Sequence, residues 1–169
     1  ERSELEREFY LQALHKTASM RLIQYEVSNF AKADFQSRSN LKVWDGQPYL
    51  GLGCGAHSFD GVNRWGNVRS MRKYMESVGR EEPPRDFMET PTRLQQASER
   101  LMLSLRRPEG LNILSWQEEF QIGLSLEQKN QMEKLKDQDL VSWESPILKL
   151  TTEGMLLADA ITAELMPEA

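Results

Sequence analysis

The 169-residue chain has one cysteine, Cys54, and only two histidines, His15 and His57. One thiol excludes an internal disulfide and fits a reducing compartment, so a cytoplasmic location is expected. With so few soft ligands, a structural zinc or iron–sulfur site, which needs three or four Cys or His side chains, is not expected from this chain alone. No apolar run approaches the roughly 20 residues that cross a bilayer, and the charged opening "ERSELEREFY" does not read as a secretory leader. Positive charge is also in short supply. The net charge is -5; residues 1–84 carry 12 Lys+Arg against 11 Asp+Glu, and residues 85–169 carry 9 against 15. An acidic half offers little to a phosphate backbone, so nucleic acid is not an expected partner. The initiating methionine is missing too, and the sequence opens inside what reads as a helix, which suggests a fragment or a processed piece.

What is present is the composition of a globular protein, with 39% hydrophobic and 28% charged residues. Apolar residues at helical spacing predict a helix over 3–21, and the β-rich stretch 22–27 predicts a strand entering a polar loop. Asp45-Gly46 signals a turn before a second strand at 49–53; residues 60–67 read as a loop and 70–78 as a short helix. The Pro- and charge-rich segment 81–91 reads as a linker between a domain at 1–80 and another at 92–169. Past it, Leu94, Ala97, Leu101 and Leu105 mark one face of a helix, "NILSWQEEF" a second, and the capping box Ser125/Gln128 starts a third that runs to about Asp137. A hairpin over 140–150 and a last helix with the stripe Leu156, Leu157, Ile161 and Leu165 complete a winged-helix-like order.

The segment "YLGLGCGAHSF", 49–59, concentrates the chemistry. Read as extended chain, Cys54 and His57 point to opposite faces and do not converge on one ion. No Lys or Arg adjoins Cys54 to lower its pKa, so a reactive thiolate is not expected. Gly51, Gly53 and Ala56 match the spacing of a dinucleotide fingerprint, but no helix follows to face a phosphate. Gly51, Gly53 and Gly55 would instead give a strand one bare face, open to a ligand or to another protein element.

The segments "YEVSNFA" (25–31), "SRSNLKVW" (37–44), "YLGLGCGAHSF" (49–59) and "RWGNVRSMRKYMESV" (64–78), followed by "LMLSLRRPEGLNI" and "LKLTTEGMLLAD", stand in this order. Together they resemble the C-terminal half of the oxygen-independent coproporphyrinogen III oxidase-like radical S-adenosylmethionine family, in its haem chaperone branch. The resemblance implies an α/β plus α chain: the last β/α elements of a partial TIM-like barrel, then a winged-helix-like helical domain with a small β-hairpin. It implies S-adenosylmethionine and a [4Fe-4S] cluster in the intact parent, whose CxxxCxxC ligands this chain lacks, so the chain alone is expected to be inactive. The implied function is tetrapyrrole (haem) biosynthesis or haem delivery, with a haem-accepting protein as partner. The implied cofactor-facing residues are Gly51, Gly53, Gly55, Ala56, His57, Glu26 and Asn40.

Where the family shows His-Asn-x-x-Tyr, this chain has Ser39-Asn40-Leu41-Lys42-Val43. Ser39 offers no imidazole and Val43 no phenol, so a bound haem would have to take His57 or Cys54 as axial ligand. Glu26 either bonds a cofactor or fixes the loop after it through backbone N–H groups. Arg38 either pairs a carboxylate or is solvated, Trp44 and Trp65 pack, His15 lies on the surface, and Met71, Met75 and Met102 belong to the core. A stand-alone interaction module derived from the same family is the alternative to a part of an enzyme-like parent.

Overall fold

The computed structural model describes residues 2–167. It begins with helix α1, Arg2–Ser19, and a hairpin of β1, Ile23–Glu26, with β2, Asn29–Ala31. Helix α2, Arg38–Trp44, follows, started by the Ser37 side chain accepting from Asn40 N. A three-stranded sheet comprises β3, His57–Phe59, β4, Arg64–Asn67, and β5, Arg85–Glu89, with helix α3, Met71–Gly79, between the last two.

Every described strand pair is antiparallel. The expected β/α barrel elements over 1–80 are therefore not seen as parallel units. Connection length gives the reason: two residues join β1 to β2 and four join β3 to β4, whereas parallel strands need a crossover of a dozen or more. The segment read as a linker, 81–91, carries β5, whose Phe87 pairs with Gly66 and Met88 with Trp65. The segment read as a loop, 60–67, contains β4, and the polar loop read after residue 27 ends in the first turn of α2 at Arg38.

The second half follows its sequence pattern more closely. Helices α4, Arg93–Leu105, and α6, Leu126–Asp137, each start with a full capping box, Thr92/Gln95 and Ser125/Gln128, which satisfies two otherwise unpaired N–H groups at the N-terminus of each helix. Between them lie β6, Leu111–Asn112, and α5, Ile113–Phe120. The hairpin of β7, Val141–Glu144, and β8, Ile147–Leu150, adds to β6 in the order β6-β8-β7. The last expected helix is two, α7, Thr152–Leu156, and α8, Ala158–Glu164. Leu157 at the break is 48% exposed, so it leaves the expected stripe.

One apolar core joins these elements. Ala97, Leu101, Leu105, Trp116, Phe120, Met132, Leu135, Leu148 and Ile161 are among its buried members, and all of its members lie between Ala97 and Leu165. Trp116, 2% exposed, also donates its indole N–H to Ala97 O at 2.9 Å, satisfying a polar atom inside the core. Gln128, 7% exposed, accepts from Ser125 N through Oε1 and donates through Nε2 to Leu165 O at 2.9 Å. Met71 and Met75, expected inside, are 66% and 60% exposed on α3.

Candidate functional site

The glycine segment is a folded loop, not a strand. Among the described residues, the ladder contact of 49–56, the part before β3, is an isolated bridge from Tyr49 to Phe59. Gly53 (φ +100°) and Gly55 (φ +69°) occupy a region that strands exclude and L side chains rarely adopt. The expected bare strand face is therefore corrected to a turn in which each glycine has its own reason. At Gly51 the reason is close approach: a Cβ there would overlap the carbonyl oxygen of His57.

Three side chains from later in the sequence hold this loop. Gly51 N donates to Ser58 Oγ at 2.9 Å and Gly53 N to Tyr74 Oη at 3.1 Å. Asn67 Nδ2 donates to Gly53 O at 2.9 Å and reaches Gly51 O at 3.4 Å. The backbone closes the rest: Gly55 N donates to Val68 O at 3.0 Å, and Asn67 N to Ala56 O at 2.9 Å. Ser58 is fully buried and Asn67 8% exposed. Ser58 is on β3, Asn67 ends β4 and Tyr74 is on α3, so the sheet and the helix together position the loop. Sequence reasoning missed the clamping roles of Ser58, Asn67 and Tyr74; the only local signal was an Asn after Gly66 inside an otherwise ordinary stretch.

This geometry limits the chemistry. The N–H groups of Gly51, Gly53 and Gly55 are all committed within the protein, so they do not form an anion-binding nest. Among the described residues no group of three or more His, Cys, Asp or Glu side chains is arranged to hold a metal ion. A [4Fe-4S] cluster held through three cysteines does not fit a chain with one. His57 is exposed on β3 and meets Phe87 edge-on, ring centroids 5.5 Å apart. Leu50 and Leu52 are 70% and 81% exposed, so the loop shows an apolar outer surface.

Of the expected site residues, the structure brings Gly51, Gly53, Gly55, Ala56 and His57 together on one loop and strand. Glu26 lies elsewhere, on β1. It is 1% exposed and its Oε1 accepts from Ser28 N at 3.1 Å, the loop-fixing alternative of the two weighed for it. Asn40 lies on α2, its backbone N–H given to Ser37 Oγ. Among the described residues no hydrogen bond joins Glu26 or Asn40 to the glycine loop.

A concavity of about 360 Å³ opens between α2, the β3–β4 hairpin and α4. Val43, Tyr49, Phe59, Met102 and Leu103 line it, and the Arg64–Glu99 ion pair, 2.6 Å, forms part of its wall. Arg64 also donates to Glu89 at 2.7 Å; those hydrogen bonds, with the Glu99 pair, raise its pKa above the ordinary guanidinium value.

No protein-family model matches the sequence. Heme chaperone HemW of Bacillus subtilis is 30% identical over 166 residues, 98% of this chain and 44% of that protein. Its counterpart of the same name in Mycobacterium tuberculosis is 31% identical over 142 residues, 84% of this chain and 34% of that protein. The resemblance is to the heme chaperones. This chain spans less than half the length of the heme chaperones it matches. Among solved structures, coproporphyrinogen III oxidase (HemN) from Escherichia coli, a radical SAM enzyme, matches with a TM-score of 0.72 at 16% identity, covering 92% of this chain and 39% of that one. That likeness shows a shared fold of mixed α and β elements.

Proposed function

We propose that this chain is the C-terminal portion of a radical S-adenosylmethionine protein of the coproporphyrinogen oxidase or haem chaperone type, acting on or delivering a tetrapyrrole in the cytoplasm. The observation that carries the reading is the 30% identity to a heme chaperone across 98% of the chain. In it, residues 1–80 are the closing elements of a partial barrel and residues 92–169 an appended winged-helix-like domain. In this reading the glycine loop from Gly51 to Ala56 and His57 face the cofactor side, as do, from separate elements, Glu26 on β1 and Asn40 on α2. The cluster and the S-adenosylmethionine chemistry belong to the remainder of the parent, and the cluster's cysteines lie outside this chain.

Burial supports the reading. Of the hydrophobic side chains described as buried, Ala31 alone lies before Ala97, while Leu5, Phe9, Ile23, Phe35, Leu50, Leu52, Met71 and Met75 are each at least half exposed. An apolar surface of that extent marks an interface, and the missing portion of the parent would cover it. A haem-accepting protein is the proposed partner of the whole assembly.

Haem binding is tested by titrating haemin into the wild-type chain and His57→Ala. A Soret band lost in the variant assigns His57 as axial ligand; identical spectra remove it. The larger reading is tested on the parent protein, reconstituted anaerobically with iron and sulfide. The expected result is a [4Fe-4S] spectrum and S-adenosylmethionine cleavage that the 169-residue chain does not show. Cleavage by this chain alone would overturn the assignment.

A further inference from the structure

The end of α2 is gripped by the second half of the molecule. Arg100 Nη1 donates to the backbone carbonyl of Asp45 at 2.7 Å, and Arg107 Nη1 pairs with the Asp45 carboxylate. Gly46, at φ +65°, lies flat against the Arg100 guanidinium: a Cβ there would sit 3.3 Å from Nη2, and the backbone conformation itself disfavours one. Arg107 is only 19% exposed, and its buried Nε lies 3.1 Å from Glu109 Oε2 without the alignment to donate to it. Asp45 is therefore the hydrogen-bonded partner that a half-desolvated guanidinium has from α2.

Helix α2 carries no fully buried side chain; Leu41 and Trp44 are half-buried. It has seven residues, and helices this short are marginal in water without tertiary support. Arg100 extends from α4, and Arg107 lies two residues past its end; α4 carries the core residues Ala97, Leu101 and Leu105, so the guanidinium groups start from a rigid base. We infer that Asp45-Gly46 is a docking point through which the core-bearing second half fixes α2, with Arg100 and Arg107 as positioning residues. The inference does not depend on the proposed function. It gives the second half a role in placing Ser39, Asn40 and Val43, and the concavity that Val43 and Gly46 both line. Because the contact is a charged one at a half-open surface, added salt weakens it.

Hydrogen exchange of the 169-residue chain tests this. The amides to follow are Leu41, Asp45, Gly46 and Gln47, bonded to Ser37 O, Leu41 O, Val43 O and Lys42 O, with those of α6 as internal reference. Asp45→Asn and Arg107→Ala should each speed exchange in α2 by roughly five- to tenfold, the loss of one solvent-screened hydrogen bond, while α6 stays unchanged. Raising the salt should move wild type toward the variants. If α6 accelerates as well, the exchanged pair Asp45→Arg with Arg107→Asp decides: restored protection of α2 supports the docking point, and no restoration overturns it. Wild-type α2 amides already exchanging at free-peptide rates, or variants within twofold of wild type, would also overturn it.

Discussion

The two halves of this chain are held together by different forces. From Ala97 to Leu165, helices and a three-stranded sheet close on a shared apolar core, and the large hydrophobics left exposed there are few: Leu114, Leu126 and Leu157. Before Pro91, among the described residues, the buried side chains other than the small Ala31 are polar. Glu26, Ser58 and Asn67 lie inside while Phe35, Leu50 and Leu52 lie outside. Hydrogen bonds to backbone groups specify a conformation, but each contributes only about 0.5–1.5 kcal/mol net. Burying one large apolar side chain contributes about 1.5–3 kcal/mol. The first half is thus well specified and weakly stabilised, the second strongly stabilised by burial.

The largest effect expected from this difference is at Trp116. Trp116→Ala removes a core side chain and its bond to Ala97 O, and should cost about 3–5 kcal/mol, read as a lower urea midpoint for the α4–α8 region. Phe9→Ser, at a side chain 60% exposed, should stay within about 0.5 kcal/mol. Equal losses would abolish the comparison. Next comes the order of melting. Exchange-detected urea unfolding should release residues 2–90 before 93–165; one coincident transition would mean that the interface between the halves, not the separate cores, controls stability.

Smaller effects sharpen the account of the first half. Gly51→Ala forces a Cβ onto the His57 carbonyl and should cost about 1–3 kcal/mol, with faster exchange at the β3–β4 pairing. Asn67→Ala leaves the Gly53 carbonyl without its side-chain donor and should cost about 1–3 kcal/mol, seen in the same amides but leaving α6 unaffected. The smallest is a pH effect at Asp60, whose pKa is held below the usual carboxylate range by the backbone N–H groups of Asn63 and then Val62. The stabilisation of that turn is present above the unfolded-state pKa and lost as pH falls through the lower folded value. An NMR titration of the Asp60 carboxyl should therefore give a midpoint below that of the same segment as a free peptide.

How much could be read in advance follows the same division. Helices α4 and α6 were legible because their signals are local: a Thr or Ser cap, a Gln three residues on, and leucines at helical spacing. The expectation of a strand at the glycines failed because alternation alone does not reveal φ. Gly53 and Gly55 turn where a strand would run on, and their partners Tyr74 and Val68 lie 21 and 13 residues away in sequence. Strands β4 and β5 were hidden because Gly66 and Phe87 are paired across a helix, and β5 is exposed along its whole length. At the candidate site, the expected residues on 51–57 are neighbours in sequence and share one loop and strand. The clamp formed by Ser58, Asn67 and Tyr74 could not be read, since a buried Asn looks like any other Asn until its acceptors are placed.

The amide of Gln128 makes the middle of the second half depend on its C-terminal end. One atom closes the first turn of α6 and another holds the carbonyl of Leu165, just past α8. Premature termination before Leu165 would reach further than the lost residues: the severed amide would loosen the start of a helix nearly forty positions upstream.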